Sequence, residues 1–316
     1  MGDYDEAKQI LLSITQKNPE HSEAWFELAF CYDLLEEFEE SIRCYDTHLS
    51  LEPFDYEGWF NRGIVFSRIG LLTKAIDSYD YAITIKEKFF SAYYNKGNAL
   101  AALGRLLDAV ECYTDAITIN NKDFQVWNNL GNVYEELSMY KEAIACFTKV
   151  ISLNPEHTES YFSRGSCYES LEQYRKALGD YEKALSLNNT NVEFWLAKAD
   201  TEFHLGRQRE SLVSYNMILK LDPSHSEAWF SYGEALAEFG FHQEALKAYN
   251  QAIELTPEWS EPYYSRGKVL LLLQKFSEAK SSFHSSFLID DSKKNLFNSD
   301  FPDLTDFIEI LNLPIH

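Results

Sequence analysis

A spacing restricts this chain more than any other feature. An aromatic residue, a small residue four places on and a second small residue twelve places after that recur every 34 residues, with no insertion or deletion. The clearest copy runs from Phe90 to Asp123, with Tyr93 fourth, Gly97 eighth, Ala109 twentieth, Tyr113 twenty-fourth and Ala116 twenty-seventh. Self-similarity at this period means one supersecondary piece stacked many times, because a single piece cannot bury its apolar faces alone.

Units begin at Ser22, Tyr56, Phe90, Phe124, Thr158, Val192, Ser226 and Ser260. The fourth place reads Trp25, Trp59, Tyr93, Trp127, Tyr161, Trp195, Trp229 and Tyr263. Apolar residues at spacings of three and four predict two amphipathic helices per unit, over about places 1–14 and 17–30. Small residues at places eight and twenty let those helices approach, and aromatics at four and twenty-four fill the space around the contact. Pro53, Pro155, Pro223 and Pro257 stand at place thirty-two, where a residue without an N–H starts the turn to the next unit.

This pattern resembles the tetratricopeptide repeat family. The family's W-x2-L-G-x2-Y…A…P signature is close to literal in WNNLGNVY, residues 127–134, followed by Ala143 and Pro155. The resemblance spans nearly the whole chain. It implies an all-α fold, a right-handed α-α superhelix of helix-turn-helix repeats with a concave groove, and it speaks for architecture rather than chemistry. Residues 1–21 match only the second half of a unit, with Ala7 and Pro19 in phase, so the array is expected to open on an unpaired second helix whose partner lies outside the chain. Residues 22–293 hold eight units. Residues 294–316 are expected to form a C-terminal capping helix, starting at Pro302 and placing Leu304, Phe307, Ile308 and Leu311 on one face. The unit from Val192 departs most, with Ala199 for glycine, Glu202 for an aromatic or leucine and Ser211 for alanine. Those changes predict a soft point in the array or, on the sharper reading, a docking site.

Fifty acids against 28 bases give a net charge of -22. Such a surface repels phosphate backbones and anionic lipid, so neither nucleic acid nor a membrane is an expected partner. No apolar run approaches the roughly 20 residues that span a bilayer, and no basic-then-apolar leader opens the chain. The five cysteines, Cys31, Cys44, Cys112, Cys146 and Cys167, all sit beside packing places and read as buried reduced thiols, which points to the cytoplasm. His21, His157 and His225 close three units at one turn position and read as solvated loop residues. No histidine or cysteine spacing suits a metal, and no nucleophile elbow, phosphate loop or dinucleotide fingerprint is present. No cofactor and no enzymatic activity are expected.

In the family's architecture the first helices line the groove, with places 2, 5, 6, 9, 12 and 13 facing inward. Place six carries Asn61, Asn95 and Asn129, place nine adds Asn98 and Asn132, and place five gives Phe60, Tyr94 and Asn128. An amide both donates and accepts, so one asparagine per unit makes a ladder able to grip an extended backbone. Some tetratricopeptide proteins hold peptides in this way. The plainer alternative is that these asparagines serve helix packing and solubility. Inward acids, among them Glu23, Glu27, Glu57, Glu135, Glu136, Asp200 and Glu234, are opposed only by Arg68 and Lys268. That balance predicts a basic or neutral peptide segment of a partner protein and disfavours the acidic chaperone tails that other family members clamp. The alternative is a scaffold that docks folded partners, or a homodimer formed through Ile10, Leu11 and Ile14 of the opening helix.

Overall fold

The computed structural model describes residues 2–302, and all the regular structure among them is helical. Helix α1, Gly2–Lys17, comes first. The first helices of the repeats then start at 34-residue intervals: α2 Ser22–Leu34, α4 Tyr56–Arg68, α6 Phe90–Ala102, α8 Phe124–Glu136, α10 Thr158–Ser170, α12 Val192–His204, α14 Ser226–Glu238 and α16 Ser260–Leu272. The second helices are α3 Phe38–Leu51, α5 Leu72–Ile85, α7 Leu106–Ile119, α9 Tyr140–Leu153, α11 Tyr174–Leu187, α13 Gln208–Leu221, α15 His242–Leu255 and α17 Phe276–Ile289. A short helix, α18 Lys293–Asp300, follows. The chain divides into two compact blocks, Met1–Cys167 and Tyr168–His316.

Five hairpins, those with Gly63, Gly97, Gly131, Gly233 and Gly267 at place eight, close on a ring set against a missing side chain. A Cβ on Gly97 would stand 2.6 Å from the Tyr113 ring, closer than any real contact, so place eight stays small to admit the place-24 aromatic. That aromatic is the centre of every hairpin: Tyr45, Tyr79, Tyr113, Phe147, Tyr181, Tyr215, Tyr249 and Phe283 are all buried. The place-four aromatic packs against the core as expected, as Trp25, Trp127, Trp195 and Trp229 do, and has a second task. Half-buried indoles of Trp25, Trp59, Trp127, Trp195 and Trp229 donate back to the carbonyls of Pro19, Pro53, Asn121, Asn189 and Pro223 at 2.8–3.1 Å, pinning the turn before each first helix.

Turns within hairpins follow one geometry. Place fifteen is left-handed in all eight, as Gly70, Gly104, Gly206 and Gly240 but also as Glu36, Ser138, Glu172 and Gln274. The next N–H then reaches back five residues, as Leu71 N does to Phe66 O at 2.9 Å, and closes the end of the first helix. The histidines expected to be solvated loop residues cap helices instead. His21, His157 and His225 accept through Nδ1 from the backbone N–H of Ala24, Ser160 and Ala228, as Asp55, Asp123 and Asn191 do in other units.

Within the first block α2, α4, α6 and α8 approach one another in turn, and within the second α12, α14 and α16 do the same. Second helices pack on the following first helix. A cation at place seven ties successive repeats on that side: Arg62 to Asp46 at 2.7 Å, Lys96 to Asp80 at 2.5 Å and Arg266 to Asn250 at 2.7 Å. The unit from Val192 carries polar groups in its core. Glu202 is 2% exposed and accepts from Lys198 Nζ and Ser214 Oγ, both at 2.6 Å, while the neighbouring Thr201 hydroxyl is buried with no hydrogen-bond partner among the described residues.

A short helix precedes the expected helix start at Pro302. Phe297 of α18 is fully buried against Phe283, Phe287 and Phe301, so a helix ahead of Pro302 covers the last hairpin. Leu304, Phe307, Ile308 and Leu311 lie outside the described residues.

Candidate functional site on the first helices

Side chains at places six, nine and twelve of neighbouring first helices form one continuous face within each block, and the two blocks floor it differently. In the first block the floor is amide and phenol. Asn98 Oδ1 accepts from Tyr113 OH at 2.8 Å and from Asn129 Nδ2 at 2.9 Å, and the same Asn129 nitrogen reaches Tyr94 OH at 3.2 Å. Asn98, Asn129 and Tyr94 are therefore brought together. The other asparagines stand apart. Asn95 Nδ2 donates to Ser91 O one turn back in its own helix at 3.0 Å, and Asn128 Oδ1 accepts from Ser160 Oγ of the next repeat at 3.3 Å. Asn61 is half-buried and Asn132 exposed, and no hydrogen bond among the described residues engages either side chain.

Place five packs on aromatic neighbours instead of standing open. Phe60 packs on Phe89 with centroids 4.9 Å apart, and Tyr94 stacks on Phe90 at 6.2 Å. Phe60 is thus part of the packing between repeats, and only the Tyr94 hydroxyl takes part in the polar floor.

In the second block the same positions carry carboxylates. Tyr181 OH donates to Glu169 at 2.7 Å, Tyr215 OH to Asp200 at 2.5 Å, and Tyr249 OH to Glu234. The rule common to both blocks is a buried place-24 tyrosine whose hydroxyl crosses to place nine or twelve of the first helix; Tyr79 does so to Ser67 at 3.0 Å. Sequence reasoning took that tyrosine only as filler. The available signal was tyrosine rather than phenylalanine at place 24 in six of the eight units, although the unit with Phe147 also carries Asn132 and Glu135 at places nine and twelve.

A cavity of about 610 Å³ opens on the second block's face, lined by these carboxylates together with Phe203, His204, Glu238, Lys268 and Leu272. Burial, with the nearby Glu169 and Glu227 charges adding to it, pushes the Asp200 carboxyl up to about 6 against the Tyr215 hydrogen bond. The Tyr215 and Tyr249 phenols are driven far up, by burial first and by their carboxylate partners second. In the first block burial raises Glu135, partly offset by a hydrogen bond from Ser166. Of the two inward bases, Arg68 is taken up by Asp33 at 2.6 Å, and Lys268 stands 3.8 Å from Asp300.

No three histidine, cysteine or acidic side chains among the described residues are grouped to hold a metal. The thiols of Cys44, Cys146 and Cys167 are raised to about 12 and that of Cys112 to about 11, by desolvation. No helix among the described residues is long and apolar enough to cross a membrane.

Family models described as tetratricopeptide or TPR repeat match residues 1–59, 35–88, 97–138, 124–157, 158–191 and 196–258. Solved structures share the fold. The C-terminal part of a TPR repeat-containing protein from Cytophaga hutchinsonii superposes with a TM-score of 0.63 at 19% identity, over 72% of this chain and 93% of its own. A tetratricopeptide repeat protein from Parabacteroides merdae gives 0.56 at 23% identity, over 74% and 93%. YrrB, described as a TPR protein with an unusual peptide-binding site, gives 0.54 at 24% identity, over 63% and 99%. No curated protein sequence matches significantly. With the repeat models spread along it and the helical hairpins in phase with them, the chain belongs to the tetratricopeptide repeat family.

Proposed function

We propose that the chain is a protein-interaction adaptor that receives an extended basic or neutral segment of a partner protein on the face of its first helices. Family membership supports the general role, and the peptide-binding site ascribed to YrrB is a parallel at the level of fold. The observation that carries the finer reading is where the charges go. Arg62 and Lys96 at place seven are spent on the neighbouring repeat and Arg68 on Asp33, while Glu169, Asp200 and Glu234 keep only a tyrosine as partner among the described residues. The face is left with uncompensated negative potential, which attracts and orients a cationic chain.

Within that reading the asparagines of the first block hold backbone. Asn61 and Asn132 keep their amides for a ligand, Asn98 and Asn129 present a shared polar node, and Asn95 would have to release its own carbonyl first. The test is a calorimetric titration of unstructured basic and acidic peptides into the wild type and an Asn61→Ala/Asn95→Ala/Asn129→Ala triple variant. Tighter binding of the basic peptide and a weakened variant are expected; equal affinity in both proteins would take the ladder out of the account.

A scaffold that pairs through its opening helix is the second reading, favoured by Ile10, which is 56% exposed on α1. Leu11 packs against the core of the first hairpin, so Ile10→Glu is the informative variant. Light scattering that finds a dimer dissociated by Ile10→Glu would favour the scaffold.

A further inference from the structure

The carboxylate-floored cavity of the second block has features that packing alone does not require. Asp200 and Glu234 occupy place nine of α12 and α14, two first helices in contact, and each gives one oxygen to a tyrosine of its own hairpin. No other hydrogen bond or ion pair among the described residues engages them, so each keeps an oxygen for a ligand. The tyrosines fix the direction of both carboxylates before anything binds. Apolar groups, Phe203 and Leu272, form the wall, and Lys268 is the one permanent cation in the lining.

We propose that this cavity seats an arginine side chain carried by an extended segment of the partner protein, with Asp200 and Glu234 as its counter-ions. The inference rests on the adaptor reading above and names the subsite within it. Charge complementarity selects a cation. The combination of two fixed carboxylates and an aromatic wall selects guanidinium over ammonium, because a planar, weakly hydrated fork can bond both acids while lying on a ring. The charges facing Asp200 are Glu169, Glu227 and His204, and those around Glu234 are Glu238 and Lys268. Burial, with the neighbouring acids adding to it, holds Asp200 partly protonated near pH 6 when empty, and an arriving cation would expel that proton.

The test uses the full chain and three capped peptides: Ser-Arg-Gly-Arg-Ser, the same peptide with lysine, and the same with citrulline, the neutral isostere of arginine. Calorimetry in two buffers near pH 6 should show the arginine peptide binding with proton release. The citrulline peptide should bind at least about tenfold more weakly, with lysine in between. Asp200→Asn/Glu234→Gln should lose about tenfold for arginine and lose the proton release, while its melting temperature does not fall. Where the double variant is poorly folded, Asp200→Asn alone keeps the tyrosine's acceptor and serves the same comparison. The asparagine triple variant should keep its preference for arginine over citrulline. Equal binding of the arginine and citrulline peptides, or unchanged affinity in the carboxylate variants, would overturn the cavity assignment and leave the adaptor reading standing. Absence of binding by every peptide would overturn both.

Discussion

Asp200 shows at the scale of one residue how function and stability separate. Its carboxyl sits at about 6, above the ordinary 3.8, so the folded state takes up a proton more readily than the unfolded chain. The stability this confers is fully present below the ordinary value and is lost as pH rises through about 6. Asp200→Asn should therefore raise stability above pH 6, by about 1–2 kcal/mol once solvent screening of a half-buried group is allowed for, with the gain vanishing toward pH 4. Chemical denaturation across that pH range checks it, and a variant less stable at neutral pH would mean the carboxylate is a structural tie. Gly97→Leu tests the packing register: with the Tyr113 ring 2.6 Å from an added Cβ, a loss of about 1–3 kcal/mol is expected in thermal melting. The spacing made this contact legible, because a recurring glycine opposite a recurring aromatic has few other meanings. It did not reveal where the tyrosine hydroxyls go. Each partner lies 12 or 15 residues away on the other helix of the hairpin, and a ring's size says nothing about its reach. Histidine caps were missed for a related reason, since Nδ1 at place thirty-four does what an aspartate usually does.

At the scale of the element, the turn and the polar core of α12 give the sharpest expectations. Four hairpins hold a side chain at φ near 60° where four others have glycine. Glu172→Gly and Gln274→Gly should each stabilise, by about 0.5 kcal/mol after the entropy of the freer unfolded chain is subtracted, read from urea midpoints. In α12 one of the departures that promised a soft point, Glu202, is matched by polar partners: Lys198 pairs with it, and Ser214 completes the carboxylate's bonding. Lys198→Met alone should cost about 3 kcal/mol by stranding a buried charge, and Lys198→Met/Glu202→Leu should recover most of it. A single variant that melts like the wild type would show the pair to be idle. The sequence displayed both residues, but the compensation is a four-residue spacing across a buried face, seen only once the helix is in place. Helix α18 was obscured by Pro302, a stronger start signal than the lysine-rich segment that actually covers Phe283.

At the scale of the molecule, repetition made nearly all of the fold readable, while the site depends on how side chains at equal places are used. Five of the expected peptide contacts, Asn95, Asn98, Asn128, Asn129 and Tyr94, are engaged within the protein, and Phe60 packs between repeats. The acid excess survives this pairing because Arg62, Lys96 and Arg266 at place seven are spent on neighbouring repeats rather than on the inward face. Association with a basic segment should consequently weaken by about tenfold between low salt and about 0.15 M, as screening shortens the reach of the face. The most direct measurement of the central claim is hydrogen exchange on the full chain with and without a saturating arginine-rich peptide. The account predicts new protection on the first helices, strongest in α12 and α14 beside Asp200 and Glu234. Protection confined to the second helices, or to the loops between repeats, would contradict it.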